Sequence, residues 1–374
     1  MIKLIFAFVL LLLSLLVLFR APTNFFWLVA VAITDFPYMP MILAGFSFYL
    51  GDKATRFHWP ILVISGAAFI IFSLPIIAAF RQTATVSSGM KKVFPVKDEE
   101  GLPSVFNFFK MFSHNKHVAY QSLVYKQVGE KKLLADFYPA RSSGPSPLVI
   151  VVHGGSWESG DNKQLPELNS YLARKGYNVA AITYRLAPAF QSPGPVEDVH
   201  DAINYFLQHA EQYKIDTNNI VLIGRSAGGQ IALCAAYIFH LPNIKGVVNY
   251  YGPADMIWGG QVKVNKAVLN TNKIYDEYFG GQYEQVPEKF RESSAVANAD
   301  TKSPPTLMIH GEIDPLVSIH HEERLQKKLD SLGVKNYFLR LPFATHGCDY
   351  SLKGPAGQVS RYAVLRFINS VTNR

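Results

Sequence analysis

Two cysteines, Cys234 and Cys348, are too few for a disulfide framework and have no metal-ligand spacing. The chain also lacks internal repeats, low-complexity tracts and any basic stripe interleaved with aromatics. Nucleic acid is therefore not an expected partner, despite a formal charge of +8. Charge itself is scarce at the N-terminus. From Met1 to about Phe80 only Lys3, Arg20, Asp35, Asp52, Lys53 and Arg56 interrupt the apolar sequence, and Arg81 closes it. The 49% hydrophobic content is thus concentrated in one region.

That region reads as membrane-embedded. The first run, Lys3 to Phe19, is followed by Phe19-Arg20-Ala21-Pro22, which offers no small-residue cleavage site. Two more runs follow, at about Phe25–Leu50 and Pro60–Phe80, and the last has roughly the 20 residues needed to cross a bilayer. We read two to four helical spans over residues 1–82, three preferred. Asp35, Pro37 and Pro40 make the middle run a kinked span, a pair of half-helices or a re-entrant hairpin. With three spans, Lys3, Lys53 and Arg56 fall on one side and Arg20, Arg81, Lys91 and Lys92 on the other. This small difference leans toward a cytoplasmic C-terminal domain in a multi-pass protein. Arg81, Lys91, Lys92 and Lys97 also suit anionic headgroups.

Residues 83–121 read as a linker or membrane-proximal segment, with mixed charge and prolines around Lys91–Pro103. The aromatic stretch Val105–Phe112 is expected to pack into a core. From Ser122 to Arg374 short strand-like runs alternate with helical patterns. Leu123–Val128 and Leu133–Tyr138 flank Gly129-Glu130 as a hairpin. Strands are then expected at Pro147–Val152, Asn178–Tyr184, Asn219–Ile223, Ile244–Tyr250, Thr306–Ile309 and Asn336–Leu341. Helices are expected at Leu165–Lys175, Val196–Tyr213, Ala227–Phe239 and His320–Leu332. Such alternation implies an α/β fold, a mostly parallel sheet with helices on both faces.

Gly224-Arg225-Ser226-Ala227-Gly228 matches G-x-S-x-G between an apolar strand and a helical pattern, the context of a nucleophile elbow. A serine on so tight a turn needs small neighbours, and the helix behind it turns its positive end toward developing negative charge. His153-Gly154-Gly155-Ser156-Trp157 ends another strand. Its amides at Gly154, Gly155 and Ser156, with that of Ala227, are candidate donors to an oxyanion. The remaining partners should follow in the order acid, then histidine. Asp314, in a turn beyond an apolar strand, and His346, on a loop after the last strand, fit that order. Glu312 is a competing acid. His310 reads as structural, His320 and His321 as solvated, Cys234 as core, and Arg185 and Asp198 as loop architecture. Cys348 and Asp349 offer nothing better.

These motifs, with Tyr184-Arg-Leu-Ala-Pro188, resemble the α/β-hydrolase esterases and lipases, including hormone-sensitive-lipase-like enzymes. The H-G-G-x-W form at His153–Trp157, followed by Glu158-Ser-Gly-Asp161, resembles the feruloyl-esterase, kynurenine-formamidase and prenylcysteine-methylesterase-like group. The resemblance covers about Ser122 to Arg374 and implies a Ser226–His346–Asp314 triad, with no metal and no cofactor. It also implies an insertion shaping the acyl pocket, here at about Gly252–Ala299, with Trp258, Tyr275, Tyr278, Phe279 and Tyr283. Trp157 and Trp258 are the candidate substrate contacts. The expected activity is hydrolysis of a small or lipid-like, hydrophobic carboxylic ester by a membrane-anchored serine enzyme. An amidase or peptidase on the same triad, or an inactive hydrolase-fold receptor or scaffold, are the alternatives. Oligomeric state is not written in the sequence.

Overall fold

A computed structural model describes residues 1–49, 57–114 and 116–374. Lys53 and Arg56, used in the charge count above, and Leu50, the end of the middle apolar run, lie outside the described residues.

The N-terminal region is helical. Helix α1 (Ile2–Ser14) continues through a tight 3-10 turn at Leu15–Val17. Next come α2 (Asn24–Asp35), α3 (Tyr38–Tyr49) and α4 (His58–Val93). Thr23 caps α2 by accepting from the Phe26 amide at 3.3 Å. Pro37 cannot donate to a helical ladder, and α2 and α3 meet there at 85°. Among the described residues α4 alone is long and apolar enough to cross a membrane, or two segments are if the bent α2–α3 pair counts as one. The α1 segment is apolar but shorter.

Helix α4 runs straight through the boundary expected at 82/83 and makes Thr83–Val93 helical rather than linker. The reason lies in its face. Ile76, Ala79, Val86 and Met90, at helical spacing, are buried against the sheet domain. Full burial of an Ile, Val or Met side chain contributes roughly 1.5–3 kcal/mol. The second half of α4 is therefore a layer of that domain. Its first half packs with α1 to α3 around Leu10, Val17, Ala30, Ala44, Ala68 and Phe72. The outside of this bundle carries exposed Phe8, Leu12, Leu43, Phe46, Phe69 and Ile70.

The rest is an eight-stranded sheet in the order β1-β2-β4-β3-β5-β6-β7-β8. The strands are β1 (Gln121–Val128), β2 (Lys131–Tyr138), β3 (Ser146–Val152), β4 (Asn178–Ile182), β5 (Ile215–Arg225), β6 (Ile244–Tyr250), β7 (Thr306–Gly311) and β8 (Asn336–Leu341). β1, β2 and β4 pair antiparallel, and all other neighbours are parallel. Alternate residues on β3 feed opposite cores: Leu148, Ile150 and Val152 one, Val149 and Val151 the other. Helices cover both faces, as a buried parallel sheet requires. They are α5 (Glu167–Arg174), α6 (Gly194–Gln208), α7 (Ala227–Ile238), α8 (Met256–Gln261), α9 (Thr271–Phe279), α10 (Pro287–Glu292), α11 (Ala295–Asn298), α12 (His320–Ser331) and α13 (Pro355–Val371). Helices α8 to α11 form the insertion between β6 and β7. Val105, Phe106 and Met111 of the aromatic stretch are buried, whereas Phe109 and Phe112, on its short 3-10 helix Phe108–Phe112, are exposed, so the stretch packs into the core only in part.

Candidate active site

The carboxyl ends of the central strands converge on Ser226. β5 ends at Arg225 and α7 begins at Ala227, so the serine occupies a one-residue turn at φ 52°, ψ −122°. A side chain is strained there, and neighbours hold it. The Ser226 amide donates to the Tyr250 carbonyl at 2.9 Å. A Cβ on Gly228 would sit 2.3 Å from the His153 carbonyl oxygen, and one on Gly224 would sit 2.1 Å from that of Gly228. Only glycine lets β3, β5 and α7 approach this closely.

His346 lies on the loop after β8, and its Nε2 is 3.0 Å from Ser226 Oγ. Its Nδ1 is 2.7 Å from Asp314 Oδ2. Asp314 follows β7, and its Oδ1 accepts the Leu316 and Val317 amides at 2.8 and 3.0 Å. Burial opposes the charge on Asp314, but the imidazoles of His346 and His310 overcome it and hold the carboxyl well below its ordinary range. Glu312, the competing acid, is exposed, whereas Asp314 is buried and bonded to His346.

The glycine-rich turn after β3 lies against the serine. A Cβ on Gly154 would meet Ser226 Cβ at 3.2 Å. The Gly154 amide, however, donates to Gln164 Oε1 at 2.7 Å. That engagement removes it from the expected donor set, because an N–H spent on a side chain cannot also aim at substrate. The amides of Gly155, Ser156 and Ala227 make no hydrogen bond among the described residues.

A confined cavity of about 60 Å³ opens on Ser226. Its apolar walls include Trp157, Trp258, Val262, Leu269, Ile274 and Tyr275. Both candidate contact tryptophans thus line it. Trp157 is fixed by stacking on Tyr278, centroids 4.5 Å apart, and by donating to Gln230 Oε1 at 2.9 Å. Of the insertion's other aromatics, Tyr275 reaches the cavity, whereas Phe279 and Tyr283 pack on Phe290.

Of two histidines, His310 is the buried, hydrogen-bonded structural residue expected, its Nε2 3.0 Å from the Val317 carbonyl oxygen, and His321 departs from the sequence reading. His310 Nε2 also lies 3.1 Å from Asp314 Oδ2 and its Nδ1 2.8 Å from Glu322 Oε2, all fully buried. Burial would favour the neutral ring, yet the two carboxylates raise it to about 10. His321, expected in solvent, is buried, because α12 turns it inward to accept the Asp255 amide at 3.1 Å. Burial lowers it to about 3. The His-x-x-x-Asp spacing of His310 and Asp314 was the available signal for the first. Nothing local distinguished His321 from exposed His320. Arg185 pairs with buried Asp198 at 2.9 Å and holds loop to helix. Cys234 is buried in α7 and burial pushes its thiol to about 12, which fits a core residue. Asp349 is engaged by Arg225 Nε at 2.6 Å. Among the described residues no cluster could hold a metal ion.

The BD-FAE family model matches residues 135–329, just over half of the 374 residues. The chain belongs to the BD-FAE family. Several curated relatives are esterases by name. Esterase LipC of Mycobacterium tuberculosis is 28% identical over 241 residues, covering 61% of this chain and 59% of LipC. The probable isoprenylcysteine alpha-carbonyl methylesterase ICMEL1 of Arabidopsis thaliana is 26% identical over 257 residues, covering 63% and 52%. The chain therefore spans little more than half the length of these two. Among solved structures, an esterase of Pyrobaculum calidifontis superposes with a TM-score of 0.61 at 18% identity, covering 80% of this chain and 98% of that one. A bacterial heroin esterase gives 0.57 at 21%, covering 78% and 90%. At such identities the likeness is one of fold, and that fold is the α/β-hydrolase fold. The BD-FAE match includes Ser226 and Asp314 and stops short of His346.

Proposed function

We propose that this chain is a membrane-anchored carboxylic ester hydrolase that works through an acyl-enzyme on Ser226. The observation that carries the reading is the continuous bond chain Asp314–His346–Ser226, at 2.7 and 3.0 Å, beside three uncommitted amides. Ser226 Oγ attacks the ester carbonyl carbon while His346 Nε2 takes its proton. The Gly155, Ser156 and Ala227 amides receive the oxyanion. His346 returns the proton to the departing alcohol, and water then releases the acid by the same steps. Asp314 fixes the imidazole and stabilises its charged form.

The cavity of about 60 Å³ suits a short acyl group, leaving a larger hydrophobic alcohol toward the opening. Membrane anchoring rests on the apolar exterior of α1, α3 and the first half of α4. Arg20, Arg81, Lys91 and Lys92 lie on segments that meet or adjoin the hydrolase domain, which favours its cytoplasmic placement. Protease accessibility in sealed vesicles tests the placement.

The test of activity is a panel of nitrophenyl esters and matched aryl amides, with wild type and Ser226→Ala in detergent. Turnover of esters that vanishes in Ser226→Ala supports the reading. Turnover of amides in preference to esters would reassign it to an amidase, and no turnover by wild type would leave a tethered, inactive hydrolase fold.

A further inference from the structure

The N-terminal apolar region touches the catalytic histidine. The Trp27 indole N–H donates to the His346 carbonyl at 3.0 Å, across 319 positions of sequence. The two rings also meet edge-on, with centroids 6.1 Å apart at 65°. One α-helical turn on, Val31 lies against Gly347. At the far end of α2, Asp35 Oδ2 accepts the Ser351 amide at 2.8 Å. Helix α2 therefore lies along the loop from His346 to Ser351 and holds it at both ends. The start of α2 is tied as well. The Asn24 amide donates to the Ala267 carbonyl at 2.9 Å, and Asn265 Nδ2 donates to that of Pro22 at 3.0 Å. Residues 22–35 thus bridge the insertion and the histidine loop, two walls of the site.

The loop needs such a hold. It lies beyond the end of β8 and contains two left-handed residues, Phe343 at φ 58° and Gly347 at φ 83°. Among the described residues the Trp27 bond is the one hydrogen bond made by the main chain of His346. The side chain is oriented by Asp314 and by the Tyr251 ring, centroids 4.5 Å away. A proton-transferring imidazole must hold its position to about half an ångström. Drift of the backbone would stretch both of its bonds at once.

We propose that α2 is a positioning element of the active site, with Trp27 its key residue, so that turnover depends on the N-terminal apolar region being in place. The inference rests on His346 serving Ser226, as above, but concerns residues outside the BD-FAE match. Trp27 takes no part in proton transfer, and beyond the edge contact of its ring with that of His346 its hold is on the main chain. It acts through the loop.

The experiment uses the full chain in lipid nanodiscs and compares wild type with Trp27→Phe, Asp35→Ala and Asp35→Asn. Trp59→Phe, at an exposed position on α4, is the control. Loss of one hydrogen bond of this kind corresponds to about a three- to tenfold effect. The expected result is a kcat lowered by that factor in Trp27→Phe and Asp35→Ala, with KM unchanged. Asp35→Asn, which keeps an acceptor for Ser351, should recover most of it, and Trp59→Phe should match wild type. Amide exchange should quicken in residues 343–351 and stay unchanged in β3 and β5. Wild-type kcat in Trp27→Phe would overturn the inference. So would a loss accompanied by faster exchange throughout the sheet, which marks a merely structural role. A wild type inert to fluorophosphonates would instead refute the hydrolase reading itself.

Discussion

Replacing His310 by glutamine removes the one cation lying between two buried carboxylates. His310 Nε2 and Nδ1 are 3.1 and 2.8 Å from Asp314 and Glu322, and all three side chains are buried from solvent. Removing one member of such an arrangement leaves uncompensated buried charge, at a cost of about 3–5 kcal/mol. The pH dependence gives a second handle. The ring titrates near 10 in the folded protein, above its ordinary 6.5. The folded state therefore keeps a proton that the unfolded chain releases between those values. His310 contributes its full stabilisation below pH ~6.5, on the order of 5 kcal/mol as an upper limit, and loses it as pH rises toward ~10. In that window wild-type stability should fall by up to about 1.36 kcal/mol per pH unit beyond the fall in His310→Gln. Urea unfolding of both chains in one detergent at pH 7, 8 and 9 measures the difference, to which His310 and the groups coupled to it, Asp314, Glu322 and His321, contribute while distant groups titrate alike. Equal slopes, or a variant within about 1 kcal/mol of wild type at pH 7, would refute the reasoning.

Asp314→Asn should lower kcat by about 10³–10⁴ with the fold intact by circular dichroism, because the amide no longer fixes the imidazole that Ser226 needs. Gly228→Ala should fail to give active protein at all, since its Cβ would fall 2.3 Å from the His153 carbonyl oxygen. Measured release of nitrophenol and melting temperature should both drop. Wild type should prefer acetyl over octanoyl esters by tenfold or more, because forcing extra methylenes against the walls of so confined a cavity costs about 1–3 kcal/mol. Trp258→Ala, which removes part of that wall, should flatten the preference in the same ester series.

The tight turn at Ser226 was legible because it is local: strand, G-x-S-x-G and helix are consecutive in sequence, and each must be there for the turn to close. Asp314 and His346 were findable from their order and their places after apolar strands. What escaped depended on contacts between distant segments. Composition changes at Arg81, and the apolar reading of α4 stopped there. The helix continues because Val86 and Met90 alternate with polar residues that face solvent, a pattern easily taken for a linker. Likewise the carboxylates around His310 come from a loop and a helix, and α12 buries His321 while exposing His320. The commitment of the Gly154 amide to Gln164 was equally invisible, since any glycine-rich turn offers the same N–H groups. Trp27 carries no motif of its own within the N-terminal apolar run, and only the fold sets it against residue 346.

If the hydroxyl of Ser226 is the nucleophile, it can be trapped. Full-length protein in detergent is treated with a fluorophosphonate, digested and mapped by mass spectrometry. A single stoichiometric adduct is expected on the peptide that begins at Ser226, absent after prior unfolding. An adduct on any other side chain, or none on natively folded protein, would contradict Ser226 as the nucleophile.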